Sequence, residues 1–200
     1  MKKKRYLIIG LLIFLIIDAT LILTNNISWF DNFIYNIVIN LKSDFMTNVM
    51  KGITFLGSVK FIIIINVLLF IYSMVKKKYN LLLITISSIT SPIVNNILKV
   101  IFKRPRPIII NMIEEGSYSF PSGHSMISIL FYGSIIYLLN KYKIKHCKLI
   151  SIILSMLILL IGISRIYLGV HYPSDVLGGY LTAGICLTII TLIYKKKCKE

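Results

Sequence analysis

The chain has 200 residues, 56% hydrophobic and 15% charged, with a formal net charge of +16. The apolar share is too large and the charged share too small for a water-soluble domain of this length; the mean hydropathy of +0.82 agrees. The charge does not mark a nucleic-acid binder, because no arginine-rich arm, zinc spacing or aromatic-interleaved basic strand accompanies it.

Apolar runs of about 20 residues suffice to cross a roughly 30 Å hydrocarbon core as helix. They divide the sequence into six expected spans, at about 6–24, 59–75, 81–102, 123–139, 149–168 and 176–194. The expected fold is all-α: a single integral-membrane domain over 1–200, built as a six-transmembrane-helix bundle with interfacial helices on its outer face. The first run follows a basic cluster at 2–5, and no small-residue cleavage site follows it. It therefore reads as a retained span rather than a signal peptide. Asp18 within it reads as a structural acid, near the outer interface or paired with Asn95 or Asn96.

Between the first and second spans, Phe30, Phe33, Ile34, Ile37, Val38, Leu41, Phe45 and Val49 recur near the helical period. Trp29 and Tyr35 suit the headgroup zone. This segment reads either as one or two interfacial helices that guide a lipid toward a site, or as a packed connector. In the third span, Pro92 is expected to introduce a kink. In the last, "GGYLTAG" from Gly178 to Gly184 offers small residues for close helix packing.

The lysines and arginines at 2–5, 76–78, 141–148 and 195–199 all fall on one side of these spans. The positive-inside rule makes that side cytoplasmic, with both termini of this multi-pass cell-membrane protein in the cytoplasm. His146 lies there in a basic, solvated loop. Cys147 and Cys198 share this reducing face and Cys186 lies within a span, so no structural disulfide is expected.

Three polar clusters gather on the opposite face. In "KVIFKRPRP", Lys99 and Arg106 are about two helical turns apart. Pro105 and Pro107 end the helix and let Arg106 fold back toward Lys99. Snorkelling to the interface accounts for Lys103 and Arg104. In "SFPSGHS", Ser122 is a natural N-cap, and the helix it starts presents unpaired N–H groups and a positive dipole end. Gly123 lets that backbone approach an anion, and His124 follows in the first turn.

In "SRIYLGVHYPSD", Arg165 ends the fifth span, while His171 and Asp175 straddle the start of the sixth. Pro173 suits the first helical position. Asp175 is then placed to accept the Nδ1–H of His171, leaving Nε2 free as nucleophile or base.

Three cations, two histidines, one carboxylate and a helix N-terminus on one face make the inventory for a phosphate. Lys99, Arg106 and Arg165 would neutralise its oxygens, and the Ser122–Gly123 backbone would supply fixed donors. His171 would attack phosphorus and His124 would protonate the leaving oxygen, then activate the water that cleaves the phosphohistidine. The scheme calls for neither metal nor cofactor. Glu114 and Glu115 read as solvated loop residues rather than a cation cage.

K-x6-RP at Lys99–Pro107, PSGH at Pro121–His124 and SR-x5-H-x3-D at Ser164–Asp175 resemble, in order and without departure, a known three-part signature. It is that of the phosphatidic acid phosphatase type 2 family, whose relatives include vanadium haloperoxidases and bacterial acid phosphatases. The resemblance implies His171 as nucleophile, His124 as general acid/base and Asp175 as the orienting partner. It implies phosphate contacts from Lys99, Arg106, Ser122, Gly123 and Arg165. The expected activity is a metal-independent phosphatase acting on a lipid phosphate or diphosphate at the extracytoplasmic face. The first expected substrate is undecaprenyl diphosphate, with phosphatidylglycerophosphate or phosphatidic acid as alternatives. A reading of another class is a carrier that binds a lipid phosphate without cleaving it. Oligomeric state is not legible in the sequence.

Overall fold

The computed structural model describes residues 2–107 and 116–197. It contains α1 (Lys2–Leu23), α2 (Ser28–Ile39), α3 (Asp44–Leu56), α4 (Val59–Val75), α5 (Leu82–Phe102), α6 (Gly123–Lys141), α7 (Cys147–Tyr167) and α8 (Pro173–Lys197). No strand occurs among the described residues. Among the described residues five helical stretches are long and apolar enough to cross a membrane: α1, α5 with the short turn before it, α6, α7 and α8. The second expected span forms as α4 with the expected bounds, its 17 residues standing at the lower limit for a crossing. It continues α3 through a 41° bend, and the bent pair makes the sixth candidate.

Local chemistry sets these boundaries. The Ser43, Ser58 and Ser122 hydroxyls accept the backbone N–H three residues on, capping α3, α4 and α6. α5 ends where Lys103 turns left-handed at φ 47°, its N–H returning to the Lys99 carbonyl over 2.9 Å. Pro105 and Pro107 then prevent the helix from resuming.

α6 lies at the centre, packed against α5, α7 and α8. Its Met126, Leu130, Phe131 and Leu138 enter the apolar core. α8 approaches α6 closely because Gly179 has no side chain: a Cβ there would stand 2.7 Å from the Ser122 carbonyl oxygen. The adjacent Gly178 makes room for the Phe120 ring. This part of the small-residue run packs as its composition suggests. α1 lies outside, against α8, and exposes Leu7, Ile13, Phe14 and Ile16. So many exposed large apolar side chains fit a hydrocarbon solvent and not water.

The segment between α1 and α4 forms two helices that pack inward. Val38 of α2 and Met50 of α3 join Ile166, Tyr167, Leu168 and Val170 in one cluster. The Tyr167 hydroxyl lies 3.0 Å from that of Thr47 and accepts the Ser43 N–H at 3.2 Å.

Asp18 does not take the partners expected of it. It is 4% exposed, and neither carboxyl oxygen has a hydrogen-bond partner among the described residues. Asn95 instead donates to the Pro121 carbonyl at 2.9 Å, and Asp18 faces Gly178 of α8. Pro92 lies inside α5. Cys147 and Cys186 are free thiols, and Cys198 lies outside the described residues.

Candidate active site

The C-terminal ends of α5 and α7 meet the N-terminal ends of α6 and α8 at one end of the bundle, around a cavity of about 330 Å³. Lys99, Arg106, Gly123, His124 and His171 all line it, with Asn95 and Asn96 beside them. Three motifs separated by up to about seventy residues thus converge on one space. Ser122, Arg165 and Asp175 stand behind its wall.

Arg106 does fold back toward Lys99, and the two meet at Ser117. Lys99 Nζ donates to Ser117 Oγ at 2.7 Å, and Arg106 Nε donates to the Ser117 carbonyl at 2.6 Å. One further Arg106 nitrogen donates to the Val170 carbonyl at 2.7 Å and lies 3.3 Å from His171 Nε2. The guanidinium therefore bridges the loop before α6 and the turn before α8, with its charge beside Nε2 of the imidazole.

His171 is 3% exposed. Its Nδ1 lies 3.5 Å from Asp175 Oδ2 and 3.4 Å from Ser119 Oγ, which itself donates to Asp175 Oδ2. The Tyr172 N–H also donates to this oxygen, at 2.8 Å. Nδ1 on the carboxylate side leaves Nε2 on the cavity side, as the four-residue spacing predicts. Burial pushes the His171 imidazole down to about 4, the hydrogen bond and charge of Asp175 offsetting part of that effect. Near neutrality the ring is then unprotonated.

His124 stands in the first turn of α6 and forms no side-chain hydrogen bond among the described residues. The helix start differs from expectation in one respect. The Ser122 N–H donates to the Asp175 carbonyl at 2.9 Å and so is committed within the fold. The Gly123 and His124 N–H groups have no protein acceptor among the described residues, leaving them as the donors the helix end can offer. Arg165 is 1% exposed and donates to Thr54 Oγ1 of α3 at 2.8 Å.

Arg104 is not a snorkelling side chain. It is 12% exposed and donates to Asp175 Oδ1 and Asp31 Oδ2, each at 2.7 Å, and to Ser174 Oγ at 2.8 Å. Its guanidinium also lies 4.1 Å from the centre of the Tyr172 ring. Burial works against its charge, but Asp175 and Asp31 more than offset this and raise its affinity for the proton. Asp31 in turn accepts the Ser174 N–H and hydroxyl, each at 2.9 Å. Sequence patterns did not single out Asp31, Ser117, Ser119 or Thr54. The one available signal was the first arginine of "KRPRP", Arg104, an extra cation beside Arg106 just past the end of an apolar helix.

Among the described residues no group of three or more His, Cys, Asp or Glu side chains is placed to hold a metal ion. Glu114 and Glu115 lie outside the described residues.

A multi-pass helical bundle with two histidines and converging cations at its polar end defines a membrane protein built to handle phosphate. The PAP2 superfamily model matches residues 80–199. Phosphatidylglycerophosphatase B of Bacillus subtilis (strain 168) is 36% identical over 199 residues, covering 96% of each chain. The chain belongs to the PAP2 superfamily, and it is a membrane lipid phosphatase. The crystal structure described as the first transmembrane PAP2 type phosphatidylglycerolphosphate phosphatase from Bacillus subtilis superposes with a TM-score of 0.86 at 33% identity, covering 94% of this chain and 96% of that one. The crystal structure of Aquifex aeolicus LpxE superposes with a TM-score of 0.64 at 26% identity, covering 80% of this chain and 93% of that one.

Proposed function

We propose that this phosphatase removes the terminal phosphate of phosphatidylglycerophosphate at the outer face of the cell membrane, through a phosphohistidine on His171. The carrying observation is the shared cavity of His171, His124, Lys99 and Arg106. It adjoins an apolar groove of about 440 Å³ between α4 and α5, and Val59, Pro92 and Ile127 line both. A phosphate in the cavity can therefore keep its hydrocarbon chain in the groove, without leaving the bilayer. The substrate named for the Bacillus subtilis relative supports phosphatidylglycerophosphate over undecaprenyl diphosphate, the first expectation from sequence.

In the proposed cycle Lys99 and Arg106 move from Ser117 and Val170 onto the phosphate oxygens, with Arg165 adding charge from behind the wall. The exposed N–H groups of α6 meet the same oxygens. His171 Nε2 attacks phosphorus in line with the leaving alkoxide, while Asp175 balances the positive charge that grows on the ring. His124 gives its proton to the departing oxygen and then draws one from the water that splits the phosphorus–nitrogen bond. Free phosphate leaves and both histidines return to their starting forms. Basic clusters at the far end of the bundle support cytoplasmic termini and an outward cavity.

The test is phosphate release by the purified protein with EDTA present, His171→Ala serving as the blank. Phosphatidylglycerophosphate, undecaprenyl diphosphate and phosphatidic acid are compared side by side. Preferred turnover of phosphatidylglycerophosphate is expected. Preference for another lipid would replace the substrate, and loss of all turnover with EDTA would remove the metal-independent scheme. Binding without release from any lipid would support the carrier reading.

A further inference from the structure

The carboxylate behind the nucleophile is itself held. Asp175 turns Oδ2 toward His171 Nδ1, Ser119 and the Tyr172 N–H, while Oδ1 accepts from Arg104 at 2.7 Å. The other terminal nitrogen of Arg104 is bound at 2.7 Å by Asp31 of α2, which also grips Ser174 beside Asp175. A planar guanidinium between two carboxylates fixes both, a geometry that an ammonium cannot reproduce.

We propose that Asp31 and Arg104 are positioning residues for the nucleophile, setting through Asp175 the direction and the charge balance of the His171 imidazole. The proposal rests on His171 being the nucleophile. If Arg104 paired with Asp175 alone, it would draw that carboxylate's charge away from the ring. Asp31 shares the guanidinium, so the three groups together carry one negative charge toward His171. That charge is needed when Nε2 takes the phosphoryl group and the ring becomes cationic. It also gives α2 a task beyond connecting two spans, since its inward face carries the outermost member of the relay.

Two single-charge changes test this, because they push the imidazole in opposite directions. Turnover needs the neutral ring, so the acid limb of the kcat/KM profile falls where His171 takes a proton. Asp31→Asn removes a negative charge, disfavours the imidazolium and moves that limb to lower pH. Arg104→Gln removes a positive charge, favours the imidazolium and moves it to higher pH. The other charged and titratable groups around the pair are Lys99 of α5, Arg106, His124 of α6, Arg165 of α7, Asp18 of α1 and Tyr172 over Arg104. They are common to both variants, so they do not produce a difference in sign.

Each variant should lower kcat by roughly 10–100-fold, the scale for residues one step removed that orient metal-ligating histidines, with a smaller change in KM. Arg104→Lys should restore the position of the limb but only part of kcat. Thermal unfolding of each variant in the same detergent separates misfolding from mispositioning. Opposite limb shifts support the relay. Shifts of the same sign, or none, with activity falling in step with melting temperature, would overturn it. Undiminished turnover by His171→Ala would overturn the nucleophile reading and the relay with it. A phosphohistidine on wild-type His171 without opposite shifts would overturn the relay alone.

Discussion

His171 and His124 face the same cavity, but the fold treats them differently. Around His171 every neighbouring position is filled: Asp175 and Ser119 lie behind Nδ1, Arg106 lies at Nε2, and Arg104 and Asp31 stand beyond Asp175. Around His124 the ring is half-buried at the start of α6 with no side-chain hydrogen bond among the described residues. The difference fits the roles proposed for the two rings, nucleophile for His171 and acid/base for His124. A nucleophile must present one nitrogen before the substrate arrives, so its tautomer and direction are built in. An acid/base acts on oxygens that the substrate and water bring, so its hydrogen bonds form only with them.

The comparison can be broken at its ends. His171→Ala should lower turnover by about 10⁴-fold or more, the scale for losing a covalent nucleophile, measured as phosphate release. His124→Ala should cost roughly 10²–10⁴-fold. With an aryl phosphate, whose leaving group needs no proton, the His124 variant should still phosphorylate His171 and accumulate the intermediate. Equal losses with no intermediate in either variant would erase the distinction between the two rings.

Smaller changes sharpen the comparison. Gly179→Ala drives a methyl against the carbonyl of Ser122, whose hydroxyl caps α6. It should destabilise the protein by about 1–3 kcal/mol, visible as a lower melting temperature together with weaker turnover. Gly123→Ala brings a methyl within 3.1 Å of Asn95 Oδ1, a contact Asn95 must yield to by a few tenths of an ångström. A modest rise in KM is expected there, with kcat nearly retained, because the change touches the phosphate-facing wall and leaves His171 alone.

Much of the candidate site was legible in the sequence because the groups gathered at the cavity lie in short local patterns. Two helix starts and one proline-terminated helix end place Lys99, Arg106, Gly123, His124 and His171 with little help from the rest of the chain. The spans were legible for a similar reason, since their length and hydropathy are local properties. What sequence reading missed depends on distant pairing. Arg104 meets Asp31 and Asp175 across separations of 73 and 71 residues, and no periodicity records such a contact. Snorkelling was a reasonable account of a basic residue at a helix end, but it places the charged head in water. Here two carboxylates hold the head inside. Ser117 and Ser119 were hidden likewise, as ordinary loop serines whose partners come from α5, α8 and the turn before α8.

The most direct test is a rapid quench of the purified enzyme with phosphatidylglycerophosphate labelled in its terminal phosphate. Wild type should carry label that survives base and is lost in acid, as a phosphohistidine does. The label should be absent from His171→Ala. Steady turnover with no labelled enzyme under conditions that trap such intermediates, or label retained by His171→Ala, would contradict the account.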